Sequence, residues 1–158
     1  MTKRAIVLAG GGSRGAYQIG CWRAFIELGL DFQIITGTSV GALNGAMMVQ
    51  KNYQLALDIW KEISVNDVLD IEIPDIDISQ KAGKKVLFSL LAKEAWVNGG
   101  AGMKALDQTI QKAIHEEEFF SSPIDFALMT VKLPLFKPIA IFKKDISSAE
   151  MLKNYLLA

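Results

Sequence analysis

The stretch Ala5–Gly15, "AIVLAGGGSRG", decides the fold because it joins an apolar strand to a glycine-rich loop. Its apolar start is typical of a β-strand that is buried on both faces of a parallel sheet. The following residues, Ala16–Leu28, place Ile19, Trp22 and Phe25 at helical spacing, so we expect a helix directly after the loop. A strand, a glycine loop and a helix in this order are typical of an α/β domain.

A second strand, loop and helix follow this first set. The apolar run "QIIT", Gln33–Thr36, precedes "GTSVG", Gly37–Gly41, and the helix-forming stretch "SVGALNGAMMVQK" begins at Ser39. This spacing predicts a βαβ unit, whose two strands lie parallel in one sheet. Both loops then lie at the carboxyl ends of their strands, where open α/β sheets place their functional sites.

The rest of the chain contains one segment that is harder to interpret. The acid-rich residues Leu69–Ile78 surround Pro74, which favours an extended surface loop over an edge strand. The apolar segment Val86–Val97 can line an acyl site or a lid, although helical spacing of its apolar residues is more typical of core. The other predicted elements are helices at Tyr53–Ile63, Ser79–Val97 and Met103–Glu117, a hairpin of Ile124–Leu133 with Lys137–Lys144, and a last helix with a capping box at Ser147–Glu150.

Composition limits the class of protein. The chain has 158 residues, of which 51% are hydrophobic, so we expect a single globular domain over residues 1–158. Its 17 basic and 17 acidic residues cancel, which argues against a nucleic-acid partner. The single cysteine excludes an intrachain disulfide framework and suits a reducing compartment. The N-terminal apolar run is too short for a signal peptide and no stretch is long enough for a transmembrane segment, so we expect a cytoplasmic protein with at most peripheral membrane contact.

The glycine loop Gly10–Gly15 has two interpretations. It fits the G-x-G-x-x-G fingerprint of dinucleotide-binding domains. Such a site also uses an acidic residue at the end of the second strand, and here that strand ends in "TGTS", without a carboxylate. The alternative is a loop whose backbone N–H groups, at the start of a helix, stabilise a negative charge. We favour the second interpretation.

The loop "GTSVG" fits the G-x-S-x-G nucleophile elbow, which lies between a buried strand and a helix. Ser39 then occupies a strained turn in which Gly37 and Gly41 avoid Cβ clashes. The alternative, a plain helix N-cap at Ser39, explains the serine but not the paired glycines. If both loops face one site, the N–H groups of Gly10–Gly12 can stabilise the oxyanion that forms when Ser39 attacks a carbonyl. Each such donor is worth about 3–4 kcal/mol.

Together, "GGGSRG" after the first strand and "GTSVGA" after the second resemble the patatin-like phospholipase family. The resemblance covers essentially the whole chain, although the specific motifs lie between Gly10 and Ala42. It implies a three-layer α/β sandwich with a mostly parallel central sheet, and a lipid acyl hydrolase that uses a Ser–Asp dyad. It also implies the site residues: the nucleophile Ser39, the oxyanion-loop residues Gly10, Gly11, Gly12 and Arg14, and the motif glycines Gly15, Gly37 and Gly41. An aspartate often precedes these glycines in the family, and Ala9 stands there instead.

A serine nucleophile needs a base, and none stands in the expected pattern. The one histidine, His115, lies on the polar side of a predicted amphipathic helix, which favours a solvent-exposed role. The family's base is an aspartate in Asp-Gly-Gly or Asp-Gly-Ala, and no Asp-Gly pair occurs in the chain. Asp145 follows a predicted strand but lacks the glycines, so we do not assign it the role. We therefore expect a domain that is incomplete at its C-terminus, with the dyad aspartate outside these residues.

Functions of different classes remain open from the sequence. The first is a serine lipid acyl hydrolase of phospholipase A or esterase type, and the second is a catalytically inactive module that binds lipids or acyl groups. A dinucleotide-binding enzyme is the third and weakest. The intact elbow and glycine loop favour the hydrolase, whose partner is a lipid or other acyl ester, including one at a membrane surface. No residues at metal-ligand spacing occur, so we expect neither a metal nor a cofactor.

Overall fold

The computed structural model describes residues 3–63, 104–132 and 137–157. The chain divides into two compact units, and the second of them, Ile63–Thr109, contains most of the residues outside the described ranges. The predicted acidic loop at Leu69–Ile78 and the predicted helix at Ser79–Val97, with its apolar part Val86–Val97, lie outside the described residues. The site is therefore described within the first unit, Met1–Glu62 with Ile110–Ala158.

A four-stranded sheet forms the centre of the first unit. Its strands, in spatial order, are β1 (Ala5–Leu8), β2 (Ile34–Thr38), β3 (Asp125–Lys132) and β4 (Lys137–Phe142). The first three are parallel, and β4 pairs antiparallel with β3 as the predicted hairpin. The predicted α/β fold with a mostly parallel sheet is therefore confirmed.

The helices follow the predicted apolar periodicity. Their bounds are α1 (Gly15–Glu27), α2 (Val40–Val49), α3 (Tyr53–Glu62), α4 (Lys104–Ala113), α5 (Glu116–Ser121) and α6 (Ala149–Leu157). Short 3₁₀ turns precede α1 and follow β4, at Gly12–Arg14 and Lys143–Asp145. Among the helices that the structure describes, α2 alone is buried over nearly its whole length, which makes it the central helix of this unit.

The single helix predicted over Met103–Glu117 is wrong in one respect, because the structure breaks it between α4 and α5. His115 has an extended backbone, with φ −104° and ψ 114°. The side chain of Gln50, at the end of α2, takes over the hydrogen bonds at the break. It accepts the N–H of His115 at 2.7 Å and donates to the carbonyl of Ala113 at 3.1 Å. A side chain that is distant in sequence thus ends the helix, and the apolar periodicity of the local sequence does not indicate this break.

The core lies between α2 and one face of the sheet. A Cβ placed on Gly45 of α2 would lie 3.1 Å from Ile35, 3.2 Å from Phe126 and 3.6 Å from Leu8, so the helix backbone rests directly on three neighbouring strands. These three side chains are at most 7% exposed. Burial of each contributes about 1.5–3 kcal/mol to folding. The small residues of α2 therefore fix the distance between the helix and the strand ends that carry the two loops.

The opposite face of β1 differs from the expectation of a strand buried on both faces. Val7 is 79% exposed, and it shares its face with the half-exposed Phe142 at the other side of the sheet. Among the described helices, α2 is the one that packs on β1, β2 and β3, and it lies on the face of the sheet that carries Leu8. The apolar run therefore predicted the strand correctly, but the prediction that both of its faces are buried is wrong.

The start of the last helix is shifted by one residue from the predicted capping box. The hydroxyl of Ser148, and not that of Ser147, accepts the N–H of Met151, at 3.2 Å. The N–H of Ala149 is bound by the carboxylate of Glu116, in α5, at 3.3 Å. A carboxylate from another helix thus satisfies a second N–H group at the start of α6.

Candidate active site

Ser39 lies in the turn between β2 and α2, where the sequence predicted it. Its backbone has φ 54° and ψ −132°, a conformation that costs a non-glycine residue about 1–3 kcal/mol. The residue is exposed and its hydroxyl makes no capping hydrogen bond to the helix. A plain N-cap serine would make that bond. The geometry therefore matches a nucleophile elbow better than it matches a simple cap.

The glycines on either side of Ser39 permit close backbone contact. A Cβ on Gly37 would overlap the backbone of Gly41, and it would lie 2.5 Å from the amide nitrogen of Ala42. A Cβ on Gly41 would overlap the carbonyl oxygen of Leu8 and lie 2.7 Å from that of Ala9. Both positions are thus restricted to glycine by backbone atoms, which cannot move aside as a flexible side chain can. The elbow is pressed against the end of β1, from which the glycine loop begins.

The glycine loop starts beside the serine. A Cβ on Gly10 would lie 3.2 Å from the Cβ of Ser39 and 3.8 Å from its Oγ. The next two residues have positive φ, 153° at Gly11 and 55° at Gly12, so the loop needs glycine there for its conformation. The two sequence motifs are thus brought together at one end of the sheet. That the N–H groups of Gly11 or Gly12 face the serine Oγ stays a prediction.

Arg14 lies over the same loop. Its Nε would be 3.0 Å from a Cβ on Gly11, and its backbone N–H donates to the carbonyl of Gly11 at 3.2 Å. Arg14 is exposed, and it is the last residue of the 3₁₀ turn that leads into α1. The guanidinium of Arg14 therefore lies near the N-terminus of α1. The positive charge of the guanidinium and the positive end of the helix dipole both favour an anion at this loop.

The two residues considered as alternative bases lie at the other end of the sheet. His115 binds Gln50, beyond the far end of α2, and the ten residues of that helix span about 15 Å. Asp145 follows β4, whose last residue pairs with Ala127 near the amino end of β3. Ser39 follows the carboxyl end of β2, which is parallel to β3. Neither residue is placed to take a proton from Ser39.

A buried set of polar side chains behind the elbow was not predicted from the sequence. Asn44 of α2 is fully buried and donates to the carbonyl of Gly15 at 3.0 Å and to Oε1 of Gln18 at 2.8 Å. Its own Oδ1 accepts the indole N–H of Trp60 at 2.8 Å, and Gln18 donates to the carbonyl of Ala9 at 2.7 Å. The available signal was that Asn44 is the one polar side chain in an otherwise apolar helix sequence.

The described ranges contain neither a metal-binding cluster nor a membrane-spanning helix. Within residues 3–63, 104–132 and 137–157, no group of three or more His, Cys, Asp or Glu side chains is arranged to hold a metal ion. Among the helices that the structure describes, none combines the length and the apolar character needed to cross a membrane. The loops around Ser39 thus remain the candidate site of this unit.

Comparison with known proteins gives partial matches to large proteins. A rat protein called patatin-like phospholipase domain-containing protein 7 is 39% identical over 77 residues, which are 44% of this chain and 6% of the rat protein. The lysophospholipase nte1 of Aspergillus terreus is 52% identical over 42 residues, 27% of this chain and 3% of that protein. The neuropathy target esterase sws of Drosophila persimilis is 48% identical over 42 residues, with the same two shares.

The chain therefore spans a few percent of the length of the curated relatives that it matches. No solved structure matches it. A family model, however, covers nearly all of it: the model for patatin-like phospholipases matches residues 6–156. That range includes the glycine loop, the elbow and all four described strands except Ala5, the first residue of β1. The chain belongs to the patatin-like phospholipase family.

Proposed function

We propose that the protein is a serine lipid acyl hydrolase in which Ser39 is the nucleophile. The observation that carries this proposal is the backbone of Ser39, held at φ 54° and ψ −132° with an exposed hydroxyl that caps nothing. A strained, exposed serine without a structural bond is costly to maintain, and such strain is typical of functional sites. Family membership and the printed names of the relatives, a lysophospholipase and an esterase among them, support an acyl ester of a lipid as the substrate class.

The chemistry follows from the residues around the serine. The Oγ of Ser39 attacks the ester carbonyl, and the carbonyl oxygen gains a negative charge in the tetrahedral intermediate. The N–H groups of Gly10, Gly11 and Gly12 stabilise that charge. The loop is close enough to do so, since a Cβ placed on Gly10, its first residue, would lie 3.8 Å from the serine Oγ. Arg14 adds a positive charge at the same loop. Collapse of the intermediate expels the alcohol and leaves an acyl-serine, which water hydrolyses.

The base that takes the hydroxyl proton is proposed to be an aspartate outside the 158 residues. No Asp-Gly pair occurs in the sequence, and His115 and Asp145 lie at the opposite end of the sheet from Ser39. The resemblance to patatin-like phospholipases implies a Ser–Asp dyad whose aspartate lies in an Asp-Gly-Gly or Asp-Gly-Ala segment. Nucleophile and base act as a unit, so loss of either costs about 10⁴–10⁶ in rate. We expect residues 1–158 alone to hydrolyse esters negligibly.

The test is hydrolysis of a short-chain nitrophenyl ester by the full natural polypeptide that carries this sequence. The Ser39→Ala variant should lose activity by about 10⁴-fold or more, with little change in stability, because its hydroxyl makes no capping bond. The matched control is Ser147→Ala, another exposed serine, whose hydroxyl contacts Met151 far from the glycine loop. Arg14→Ala should weaken catalysis less than Ser39→Ala does, since it removes a supporting charge.

Two results would contradict the proposal. The first is turnover by Ser39→Ala that stays near that of the unmodified protein and of Ser147→Ala. The second is robust, Ser39-dependent turnover by residues 1–158 alone, which would place a base within these residues. An absence of ester hydrolysis in the full polypeptide, with lipid binding retained, would instead favour the inactive lipid-binding module.

A further inference from the structure

The hydrogen bonds behind the elbow connect the nucleophile helix to the residue before the glycine loop. Trp60 of α3 donates to Asn44 of α2, Asn44 donates to Gln18 of α1, and Gln18 donates to the carbonyl of Ala9. The three distances are 2.8, 2.8 and 2.7 Å. All four residues belong to the first compact unit. We call this set of bonds the amide relay.

The direction of the amide relay is fixed at both ends. An indole N–H can only donate, so Oδ1 of Asn44 faces Trp60. Backbone carbonyls can only accept, so the Nδ2 of Asn44 faces Gly15 and the Nε2 of Gln18 faces Ala9. Neither amide can flip without placing donor against donor or acceptor against acceptor. Aligned bonds of this kind polarise and strengthen one another.

The relay ends on the peptide group that starts the glycine loop. The carbonyl of Ala9 and the N–H of Gly10 belong to one planar peptide, so a bond to the oxygen fixes the direction of the N–H. The same oxygen would lie 2.7 Å from a Cβ on Gly41, so it is confined between Gln18 and the nucleophile helix. Gly10 in turn adjoins Ser39. The peptide between Ala9 and Gly10 is therefore held from two sides at the point where loop and nucleophile meet.

Gly15 shows that the relay also fixes the start of α1. Its carbonyl accepts from Asn44 at 3.0 Å. A Cβ on Gly15 would overlap the ring of Trp60 and would lie 2.7 Å from a methyl group of Val40, the residue after the nucleophile. The glycine loop is thus tied to α2 at both of its ends, through Ala9 on one side and Gly15 on the other.

We propose that Asn44 and Gln18 are positioning residues that hold the glycine loop in register with Ser39. This inference rests on the proposed function, because it assigns the loop an oxyanion-stabilising role. An oxyanion donor acts through its placement, so a loop that moves by a fraction of an ångström loses transition-state stabilisation without losing substrate binding. The expected signature of a broken relay is a lower kcat with a nearly constant KM.

The experiment compares Gln18→Met with Gln50→Met in the full natural polypeptide. Both glutamines donate to backbone carbonyls, but Gln50 does so at the opposite end of α2, to Ala46 and Ala113. Methionine approximates the shape of glutamine and cannot donate. Gln18→Met should lower kcat about 10- to 100-fold with KM within about twofold, whereas Gln50→Met should lower stability and leave kcat unchanged.

A second variant adds a readout that a purely structural role would not change. In Gln18→Glu one oxygen can still accept from Asn44, but only the protonated acid can donate to Ala9. The ratio of its kcat to that of the unmodified protein should therefore rise as the pH falls toward the carboxyl pKa. Other ionisable side chains near Gln18 lie on α1 and α3, whereas α2, which also packs on α1, has none. They are Tyr17, Cys21, Arg23 and Glu27 of α1, and Tyr53, Asp58, Lys61 and Glu62 of α3. These groups, and Arg14 of the 3₁₀ turn that packs on α1, are the same in both proteins, so the pH dependence of the ratio reports the introduced carboxyl group.

Amide hydrogen exchange separates failure of this inference from failure of the proposed function. Gln18→Met should speed exchange at residues 10–15 relative to Gln50→Met, whether or not the protein hydrolyses esters. Unchanged exchange in that loop, an equal fall of kcat in both methionine variants, or a pH-independent ratio for Gln18→Glu would each overturn the positioning role. If the unmodified polypeptide shows no esterase activity, the proposed function fails and the exchange rates alone decide on the relay.

Discussion

The residues that flank α2 share a positive φ but have opposite surroundings. Ser39, before the helix, and Lys51, after it, are the two non-glycine residues with positive φ in the described ranges, at 54° and 57°. Behind Lys51, Gln50 is buried and uses its amide to bind Ala46, Ala113 and His115. The hydroxyl of Ser39 is exposed and makes no capping bond. At one end the buried amide of Gln50 is hydrogen-bonded, whereas at the other an exposed serine makes no capping bond.

Positive φ alone does not identify a site, because Lys51 has it at an ordinary helix end, where the left-handed conformation is common. What distinguishes Ser39 is the combination of strain, a free hydroxyl and backbone contacts that admit only glycine on either side. The following predictions separate the two ends by mutation, from the largest expected effect to the smallest.

Substitution of the serine by glycine should separate activity from stability. Ser39→Gly relieves the backbone strain, so its free energy of unfolding should be equal to or higher than that of the unmodified protein. Ester hydrolysis should nevertheless fall by about 10⁴-fold or more, because the nucleophile is gone. Chemical denaturation and an ester assay on the same preparation measure both quantities. A variant that is clearly destabilised would show that the serine has a structural role and that the interpretation of its strain is wrong.

Substitution of the elbow glycine should have the largest effect on folding. The Cβ of Gly41→Ala would overlap the carbonyl oxygen of Leu8, so the helix must move away from β1 at a cost of several kcal/mol, about 3 or more. The control is Gly20→Ala in α1, where no atom beyond the adjacent residues and the local helix backbone lies within 4 Å of the added Cβ. That change should stabilise the protein by about 0.5–1 kcal/mol. Equal unfolding midpoints for the two variants would contradict the close contact between the elbow and β1.

The smallest effect is expected at the other end of the helix. Lys51→Gly should raise stability by up to about 1 kcal/mol, since glycine adopts positive φ without a Cβ penalty. Activity should stay constant, because Lys51 lies one helix length from Ser39. Thermal unfolding and the ester assay together test this. A loss of activity in Lys51→Gly comparable to that in Ser39→Gly would remove the distinction between the two ends.

Most of the site could be predicted because its determinants are local. A strand followed by glycines, and a serine between two glycines, define two loops whose meeting follows from parallel strands. The break at His115 and the bond from the N–H of Ala149 to Glu116 could not be predicted, because each joins groups that are distant in sequence. The exposure of Val7 could not be predicted for a related reason, because an apolar run in the sequence does not show which elements pack on each face of the strand.

The amide relay shows the same limit inside the site. Asn44, Gln18 and Trp60 lie on three helices and are adjacent only after these helices pack together. A lone asparagine in an apolar helix indicates a buried polar contact but does not name its partners. Local sequence therefore predicts the nucleophile and the loop, whereas the groups that hold them in register become visible only in three dimensions.

The most direct test of the central claim is to map where a fluorophosphonate reacts with the full natural polypeptide. The probe forms a covalent bond with an activated serine, and mass spectrometry of the digested protein locates it. We expect one adduct, on Ser39, that is absent in Ser39→Ala and much weaker in residues 1–158 alone. An adduct on another serine that accounts for the esterase activity, with Ser39 unlabelled, would contradict the assignment of Ser39 as the nucleophile.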